Sequence, residues 1–399
     1  MLSNDQLDRY ADILLWGLKT SRKNKVRSTD TVMIRYDLKA LDLAEKLYEK
    51  ILLLGCNPVP RLLQTSRMEQ KFYEIGNQRQ LKFIPPGEAA LYEKLNGNIV
   101  VLAPESITHL AHIEPATISK TLKARKFLRD ILDNREDNGD FSWTLAIYPT
   151  ETLAEHAGMT LQEYTDQIAK ACFLNSANPV KQWESIYRKA ASIKRRLNRL
   201  GINTLHVESE NIDLFVKQGD QRRWVGISGH NIPSFELFIS PDWRGTNGVY
   251  YADQPSYKSG NLVKDIRVEF KKGKVIDATA KQGNNFLLKQ LEMDAGAKRI
   301  GEFSLTDKNF SNIERFMANT LYDENFGGKY GNCHIALGSS YSDTYAGKPD
   351  ELSAEMKKSL GFNTSALHWD IVNTENKRVT AHLSGGEKMV IYDNGQFVF

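Results

Sequence analysis

The sequence predicts an α/β protein with two domains, an N-terminal α/β layered domain followed by a domain of mixed α+β structure. The length of 399 residues is enough for about two or three domains. In the first half, short apolar runs alternate with amphipathic helical patterns, as in a partly parallel sheet with helical connections. Beyond Gly201, closely spaced β-like runs separated by glycine-containing turns indicate a different architecture. We therefore expect domains at residues 1–200, with a helical C-terminal part, and at 201–399.

The composition is that of an ordinary globular protein, with 41% hydrophobic and 26% charged residues. The net charge of +4 is small for this length, which argues against a general nucleic-acid binder. Asp5, Asp8 and Asp12 interrupt the apolar positions near the N-terminus, so we expect no signal peptide. No run of about eighteen apolar residues occurs, so we expect no membrane span and no membrane partner.

The pattern of cysteines indicates the redox state of the cellular compartment. Cys56, Cys172 and Cys333 are scattered, and none of them has CxxC spacing. Such a pattern favours free thiols over a disulfide framework or a cysteine-based zinc site. We therefore predict a cytoplasmic protein.

The elements of the first domain follow from its hydrophobic periodicity. In chain order they are a helix over residues 4–19, a strand at Thr31–Tyr36, a helix at Lys39–Leu54, a strand beginning in Pro58–Leu63, a strand at Asn98–Leu102, and mainly helices over residues 115–200. No GxGxxG motif follows any of these strands, so no dinucleotide site is predicted.

One helical stretch, Arg188–Leu200, carries six basic residues. A solvated helix face is one interpretation of this pattern. An electrostatic contact with an acidic partner or with peptide carboxylates is the other.

The second domain is predicted from short β-like runs. These runs are Thr204–Val207, Leu214–Val216, Trp224–Ile227, two strands joined by a glycine turn within Ile266–Ala278, and three C-terminal strands at Arg378–Leu383, Lys388–Tyr392 and Gln396–Phe399.

The second half also concentrates carboxylate and imidazole side chains in polar segments that interrupt its apolar runs. They are Glu236, Glu302, Glu324, His334, His368 and Asp370, with Tyr341 close to His334 in the chain. Carboxylates and imidazoles suit Zn, Co or Mn as ligands. If His368 and Asp370 lie on a strand, they face the same side, since side chains alternate along a strand. Each residue alone has an ordinary explanation, such as a structural histidine, a helix cap or a turn.

Several motifs occur together and in a fixed order in this region. They are Asn231–Glu236 (N-x-P-S-x-E), the pair Gly301–Glu302, Asp323–Asn325 (D-E-N), His334–Gly338 (H-x-A-L-G), Tyr341, and His368–Asp370 (H-x-D), preceded by Tyr148–Tyr164. Together they resemble the M29 family of metalloaminopeptidases, of the aminopeptidase T/S type. The departures from that pattern are Phe235, which stands where a small residue is expected, and a longer loop at Gly327–Asn332.

The resemblance implies a metalloaminopeptidase that acts on peptides with a free N-terminus, and a homodimer. It implies two divalent ions (Zn, Co or Mn) in the domain at 201–399, with metal ligands at Glu236, Glu302, His334, His368 and Asp370. It also implies that Glu324 is a further site carboxylate and that Tyr341 is the catalytic tyrosine.

The expected mechanism uses a metal-activated water. Either Glu302 or Glu324 accepts the proton of the water, and the sequence does not separate them. The Tyr341 hydroxyl would donate a hydrogen bond to the tetrahedral oxyanion. Arg244 is a candidate for binding a peptide carbonyl or carboxylate, and a structural ion pair with Asp242 is the alternative.

Two other classes of function remain open on the sequence. One is a dinuclear metallohydrolase of a non-peptide amide. The other is a non-catalytic, metal-containing interaction protein. His109 and His112, three residues apart in the first half, have few acidic neighbours in the sequence and are not expected to bind metal.

Overall fold

The computed structural model describes the backbone of residues 1–399 and every side chain except that of Pro115. The helices are α1 (Asn4–Thr20), α2 (Leu41–Leu53), α3 (Ser66–Ile75), α4 (Gln78–Leu81), α5 (Glu88–Tyr92), α6 (Pro115–Asp137), α7 (Glu151–His156), α8 (Leu161–Ala171), α9 (Pro179–Leu197), α10 (Asn284–Leu291), α11 (Thr320–Asp323) and α12 (Ala354–Leu360). The strands are β1 (Thr31–Tyr36), β2 (Asn57–Leu62), β3 (Gly97–Leu102), β4 (Ser142–Ile147), β5 (Ile202–Glu208), β6 (Asp213–Lys217), β7 (Asn231–Ile232), β8 (Glu236–Ile239), β9 (Asn247–Ala252), β10 (Ser256–Lys258), β11 (Asn261–Lys271), β12 (Lys274–Gln282), β13 (Ile300–Thr306), β14 (Asn332–Gly338), β15 (His368–Asn373), β16 (Arg378–Leu383), β17 (Lys388–Asp393) and β18 (Gln396–Phe397).

The chain forms two compact units. The first contains Met1–Trp183 and the short segment Ser228–Ile232, and the second contains Glu184–Ile227 and Pro233–Phe399. The change of unit therefore lies within α9, whereas the sequence suggested a single boundary near residue 200. Among the helices of the described chain, none is long and apolar enough to span a membrane.

The first unit is built on a five-stranded parallel sheet with the order β2-β1-β3-β4-β7. Its central strands are apolar because helices cover a parallel sheet on both faces, and Ile34, Ile99 and Val101 are buried. Pro58 and Pro60 lie on the edge strand β2, where a missing N–H is tolerated. This arrangement confirms the predicted α/β class.

The second unit contains a nine-stranded antiparallel sheet with the order β10-β11-β9-β6-β5-β16-β17-β18, in which β12 pairs with β11. The predicted strand at Trp224–Ile227 is wrong. There, Val225 forms only an isolated bridge with Phe238. Gly226 and Ile227 have φ angles of 120° and 49°, in the left-handed region that interrupts an extended strand.

A smaller antiparallel sheet of four strands, with the order β15-β14-β13-β8, completes the second unit. We call it the site sheet. One of its faces is apolar and fully buried, with Phe303, Ile335, Leu337 and Ile371 at alternate positions. The opposite face carries the polar residues described next.

Candidate metal centre

The strand register of the site sheet brings the predicted ligands onto its polar face. Ala336 of β14 pairs with Glu302 of β13 on one side and with Asp370 of β15 on the other. Gly338 pairs with His368, which lies two residues before Asp370 and therefore on the same face.

His334 and Glu236 extend this row across the sheet. Ser304 pairs with His334, and Thr306 pairs with Glu236. Small residues such as Ser304 and Ala336 thus lie between the long ligand-type side chains, and they leave space above the sheet where those side chains converge.

A first cluster consists of Glu236, Glu302 and His334, all buried, whose potential ligand atoms lie within 4.8 Å of one another. His334 Nε2 is 3.2 Å from Glu236 Oε2 and 3.1 Å from Glu302 Oε1. The Ser304 hydroxyl donates to Glu236 Oε2 (3.1 Å) and so orients that carboxylate. Ser304 was not predicted, because a serine within a strand carries no recognisable sequence signal.

A second cluster shares Glu302 with the first. His368 Nε2 is 3.3 Å from Asp370 Oδ1 and 3.9 Å from Glu302 Oε2. Glu302 Oε2 is buried and has no hydrogen-bond partner within the described part of the chain. The Glu302 carboxylate therefore presents one oxygen to each imidazole, and the second oxygen lacks the partner that a buried acceptor needs.

Main-chain carbonyls orient both histidines. His334 Nδ1 is 3.1 Å from the Glu324 carbonyl, and His368 Nδ1 is 2.9 Å from the Ser339 carbonyl. A carbonyl can only accept, so in each ring Nδ1 carries the proton and donates. In the neutral ring Nε2 is then free to bind a metal, which is the usual arrangement of metal-binding histidines. The donor set and the orphaned Glu302 oxygen both fit a divalent ion.

The charges of the site depend strongly on one another. Burial alone would lower the pKa of His334, but hydrogen bonds with Glu236 and Glu302 raise it well above its usual value. Burial would also lower the pKa of His368, but the neighbouring Asp370 carboxylate outweighs this effect and raises the pKa to about 9. Burial and neighbouring carboxylates raise the pKa of Glu324. A cation among these carboxylates would relieve their mutual repulsion.

The D-E-N segment fixes the position of Glu324. Asp323 accepts hydrogen bonds from the main-chain N–H groups of Met317 (2.7 Å) and Asn319 (2.9 Å). The Asn325 side chain accepts from the N–H of Phe235, the residue before Glu236. Asp323 and Asn325 therefore anchor the loop, and the carboxylate between them interacts electrostatically with Glu236 and Asp370.

Tyr341 lies at the rim of the site and is 46% exposed. Its ring centroid is 4.6 Å from that of His368. Main-chain hydrogen bonds also anchor this segment: the Tyr341 N–H donates to Ser240 Oγ, and its carbonyl accepts from Thr344 Oγ1, both at 2.8 Å. Burial and the nearby carboxylates, Glu302 foremost, raise the pKa of Tyr341. The hydroxyl therefore keeps its proton and can act as a donor.

Arg244 forms the ion pair with Asp242 that the sequence left open as the alternative to a substrate-binding role. Its guanidinium forms a bidentate pair with the buried carboxylate of Asp242, at 2.7 and 2.8 Å. Its Nη2 also donates to the Ser359 carbonyl (3.0 Å). These contacts of Nε and Nη2 correspond to the structural alternative.

His109 and His112 belong to the first unit. Each is paired with a single glutamate, His109 with Glu69 (2.8 Å) and His112 with Glu74 (2.9 Å). Neither belongs to the group of potential ligands on the site sheet.

The close packing behind Glu236 gives a first testable prediction. A Cβ on Gly226 would lie 2.0 Å from the Glu236 carbonyl oxygen, and Gly226 has a φ of 120°. Gly226→Ala should therefore lower the free energy of unfolding by about 3 kcal/mol or more and displace β8. Chemical denaturation would measure the loss. Gly385→Ala is the control, since nothing lies within 4 Å of its added Cβ. Equal stability of the two variants would contradict the packing described here.

The comparisons with known proteins agree with this geometry. The sequence model of the M29 family, described as thermophilic metalloprotease, matches residues 3–397. Aminopeptidase PepS of Streptococcus thermophilus is 25% identical over 424 aligned residues, which cover 99% of this chain and 98% of that protein. Aminopeptidase T of Thermus aquaticus is 27% identical over 275 residues, which cover 64% of this chain and 65% of that protein.

A solved structure shows the same fold. Wild-type AmpT from Thermus thermophilus superposes with a TM-score of 0.77 at 20% sequence identity, and the match covers 100% of both chains. The family model spans nearly the whole sequence, and a family of metalloproteases implies a divalent metal, for which the site sheet offers carboxylate and imidazole donors. The chain therefore belongs to the M29 family of metalloproteases.

Proposed function

We propose that this metal-dependent aminopeptidase removes single residues from peptides with a free N-terminus, using two divalent ions bound on the site sheet. The observation that carries the proposal is the Glu302 carboxylate, which presents one oxygen to His334 and the other to His368. A carboxylate placed in this way suits a bridge between two ions. The names of the relatives, all aminopeptidases, support the choice of substrate class.

The proposed ligands form two sets that share Glu302. One set is Glu236, Glu302 and His334, and the other is Glu302, His368 and Asp370. Oxygen and imidazole nitrogen donors of this kind suit Zn, Co or Mn. We propose one of these as the native metal.

In the proposed mechanism, Glu236, Glu302, His334, His368 and Asp370 would hold two divalent ions, which when bound would supply a water of lowered pKa and positive charge for the scissile carbonyl and the substrate's α-amine. A carboxylate oxygen of Glu302 or Glu324 accepts the proton of the water and passes it to the leaving amine. The Tyr341 hydroxyl donates a hydrogen bond to the oxyanion that develops on the carbonyl oxygen. The protonated state of Tyr341 favours this role.

The proposal also covers the cellular location and the oligomeric state of the protein. The buried, free cysteines Cys56 and Cys333 support a reducing, cytoplasmic location. A homodimer is proposed on the family resemblance, and sedimentation equilibrium of the purified chain would test it. We propose no nucleic-acid or membrane partner.

Metal removal tests the proposed function directly. Chelation should abolish hydrolysis of aminoacyl-nitroanilides, because the groups that remain cannot activate water near neutral pH. Adding back Zn, Co or Mn should restore activity, and elemental analysis should find about two ions per chain. Full activity of metal-free protein would contradict the proposal.

A matched substrate separates this function from the alternatives. The same nitroanilide with an acetylated amine should not be cleaved, since it lacks the free α-amine. Equal cleavage of both substrates would indicate a hydrolase of other amides. Metal binding without any turnover would indicate an interaction protein.

A further inference from the structure

The hairpin formed by β10 and β11 lies next to the outer edge of the site sheet. Ser259 and Gly260 form its two-residue turn, and both have positive φ angles, 48° and 77°. Positive φ at both central residues is the signature of a type I′ turn, which holds two strands in a defined register. Lys258 is the last residue before this turn and pairs with Asn261. Its position on the hairpin is therefore well determined.

Residues in and just before the hairpin form hydrogen bonds with the exposed edge of β15. Since β15 is the outermost strand of the site sheet, its outward carbonyls have no neighbouring strand to pair with. The Lys258 ammonium donates to the His368 carbonyl (2.6 Å), and the Gln254 N–H donates to the Val372 carbonyl (3.3 Å). Trp369 Nε1 donates in return to Ser256 Oγ (2.8 Å). A side-chain donor before Asp370 and a main-chain donor after it thus take the place of a neighbouring strand.

The ammonium is also electrostatically coupled to the site. Lys258 is half-buried, and its charge attracts the Asp370 carboxylate. His368 is then held at two points. Ser339 binds its ring at Nδ1, and Lys258 binds its main chain. Among the described residues, Lys258 makes no comparable hydrogen bond with the cluster of Glu236 and His334.

We propose that Lys258 is a positioning residue, which fixes the main chain of His368 and thereby the two ligands that His368 and Asp370 supply to one metal subsite. This inference rests on the function proposed above. It predicts that loss of Lys258 weakens one of the two subsites and leaves the other nearly unchanged.

Lys258→Met tests the proposal, since methionine keeps much of the length and apolar character of the side chain without its charge or donors. Partners that orient metal ligands typically contribute about 10- to 100-fold to metal affinity. We therefore expect one of the two zinc dissociation constants of the chelator-treated protein, measured by isothermal titration calorimetry, to rise about 10- to 100-fold. Lys274→Met, an exposed lysine at the start of β12, is the matched control and should bind both ions as the wild type does.

Two results would overturn the inference. If Lys258 only stabilised the hairpin, Lys258→Met would lower the melting temperature without changing the zinc dissociation constants of the folded protein. If Lys258 acted only through its charge, its removal would strengthen cation binding, because like charges repel. Positioning alone predicts weaker binding at one subsite.

Two further variants complete the test. Lys258→Arg retains charge and donors and should recover most of the zinc affinity. If Lys258→Met does not fold, Lys258→Leu, which also lacks charge and donors, replaces it in the same titration, and wild-type zinc affinity in that variant would overturn the proposal. A wild-type chain that binds no zinc, cobalt or manganese would contradict the proposed function itself. Normal wild-type binding that Lys258→Met leaves unchanged would contradict this inference alone.

Discussion

Glu302→Gln should lower kcat/KM by at least about 10³-fold, the largest loss expected from any single substitution in the site. The amide is nearly the same shape as the carboxylate, but it carries no charge and offers only one oxygen. It therefore fails as a ligand shared by the two clusters, and it also fails as a proton acceptor if Glu302 rather than Glu324 has that role. Elemental analysis and steady-state kinetics on one preparation would measure both losses. Glu269→Gln, which removes a half-exposed carboxylate paired with Arg267, should be indistinguishable from the wild type.

Glu324→Gln separates the two candidates for the proton acceptor. If Glu324 accepts the proton, its amide variant loses turnover and keeps its metal. If Glu324 is instead a ligand, metal content falls with turnover. Wild-type metal content and turnover in Glu302→Gln would remove Glu302 from the site altogether.

Tyr341→Phe should lower kcat by about 10²- to 10³-fold with little change in bound metal. A donor that acts on the oxyanion contributes only as charge develops in the transition state, so ground-state binding changes little. The fold should tolerate the change, because the hydrogen bonds that anchor this segment come from the main chain of Tyr341.

The control for this substitution is Tyr251→Phe, which removes a hydroxyl that is 3.0 Å from Asp265 on the nine-stranded sheet. It should leave kcat unchanged. If Tyr341→Phe lost metal in parallel with activity, Tyr341 would be a ligand or a structural residue. Unchanged kcat would exclude it from the reaction.

Local pattern could predict part of this architecture. The alternation of His368 and Asp370 predicted a strand with both side chains on one face, and the structure has that strand. The order of the strands in the site sheet was not predictable in the same way, because Glu236 and Glu302 lie far apart in the sequence and only tertiary pairing makes β8 and β13 neighbours. The family motifs identified the candidate metal ligands, and the strand register of the site sheet explains how these side chains come together.

Other features depended on contacts that no local pattern reports. A hydrophobic run at Trp224–Ile227 resembled a strand, but Gly226 must pass close to the Glu236 carbonyl and takes a conformation that interrupts it. Segment 228–232 adds a strand to the sheet of the first unit although it follows part of the second unit in the chain. Nothing in the local sequence marks Lys258, because its partner, the His368 carbonyl, lies 110 residues away in the chain.

The four strands of the site sheet have a thermodynamic consequence, because the side chains proposed to bind metal are spread from Glu236 to Asp370. Each of the two proposed ions, held by its own set of these side chains, would cross-link segments that separate when the chain unfolds. Its binding free energy would then add to the stability of the folded state, by about 2.7 kcal/mol for each site when the free ion is present at a hundred times its dissociation constant. Resistance to heat and to proteolysis would thus follow the supply of free metal. Metal scarcity would then lower both the activity of the enzyme and the amount of folded enzyme.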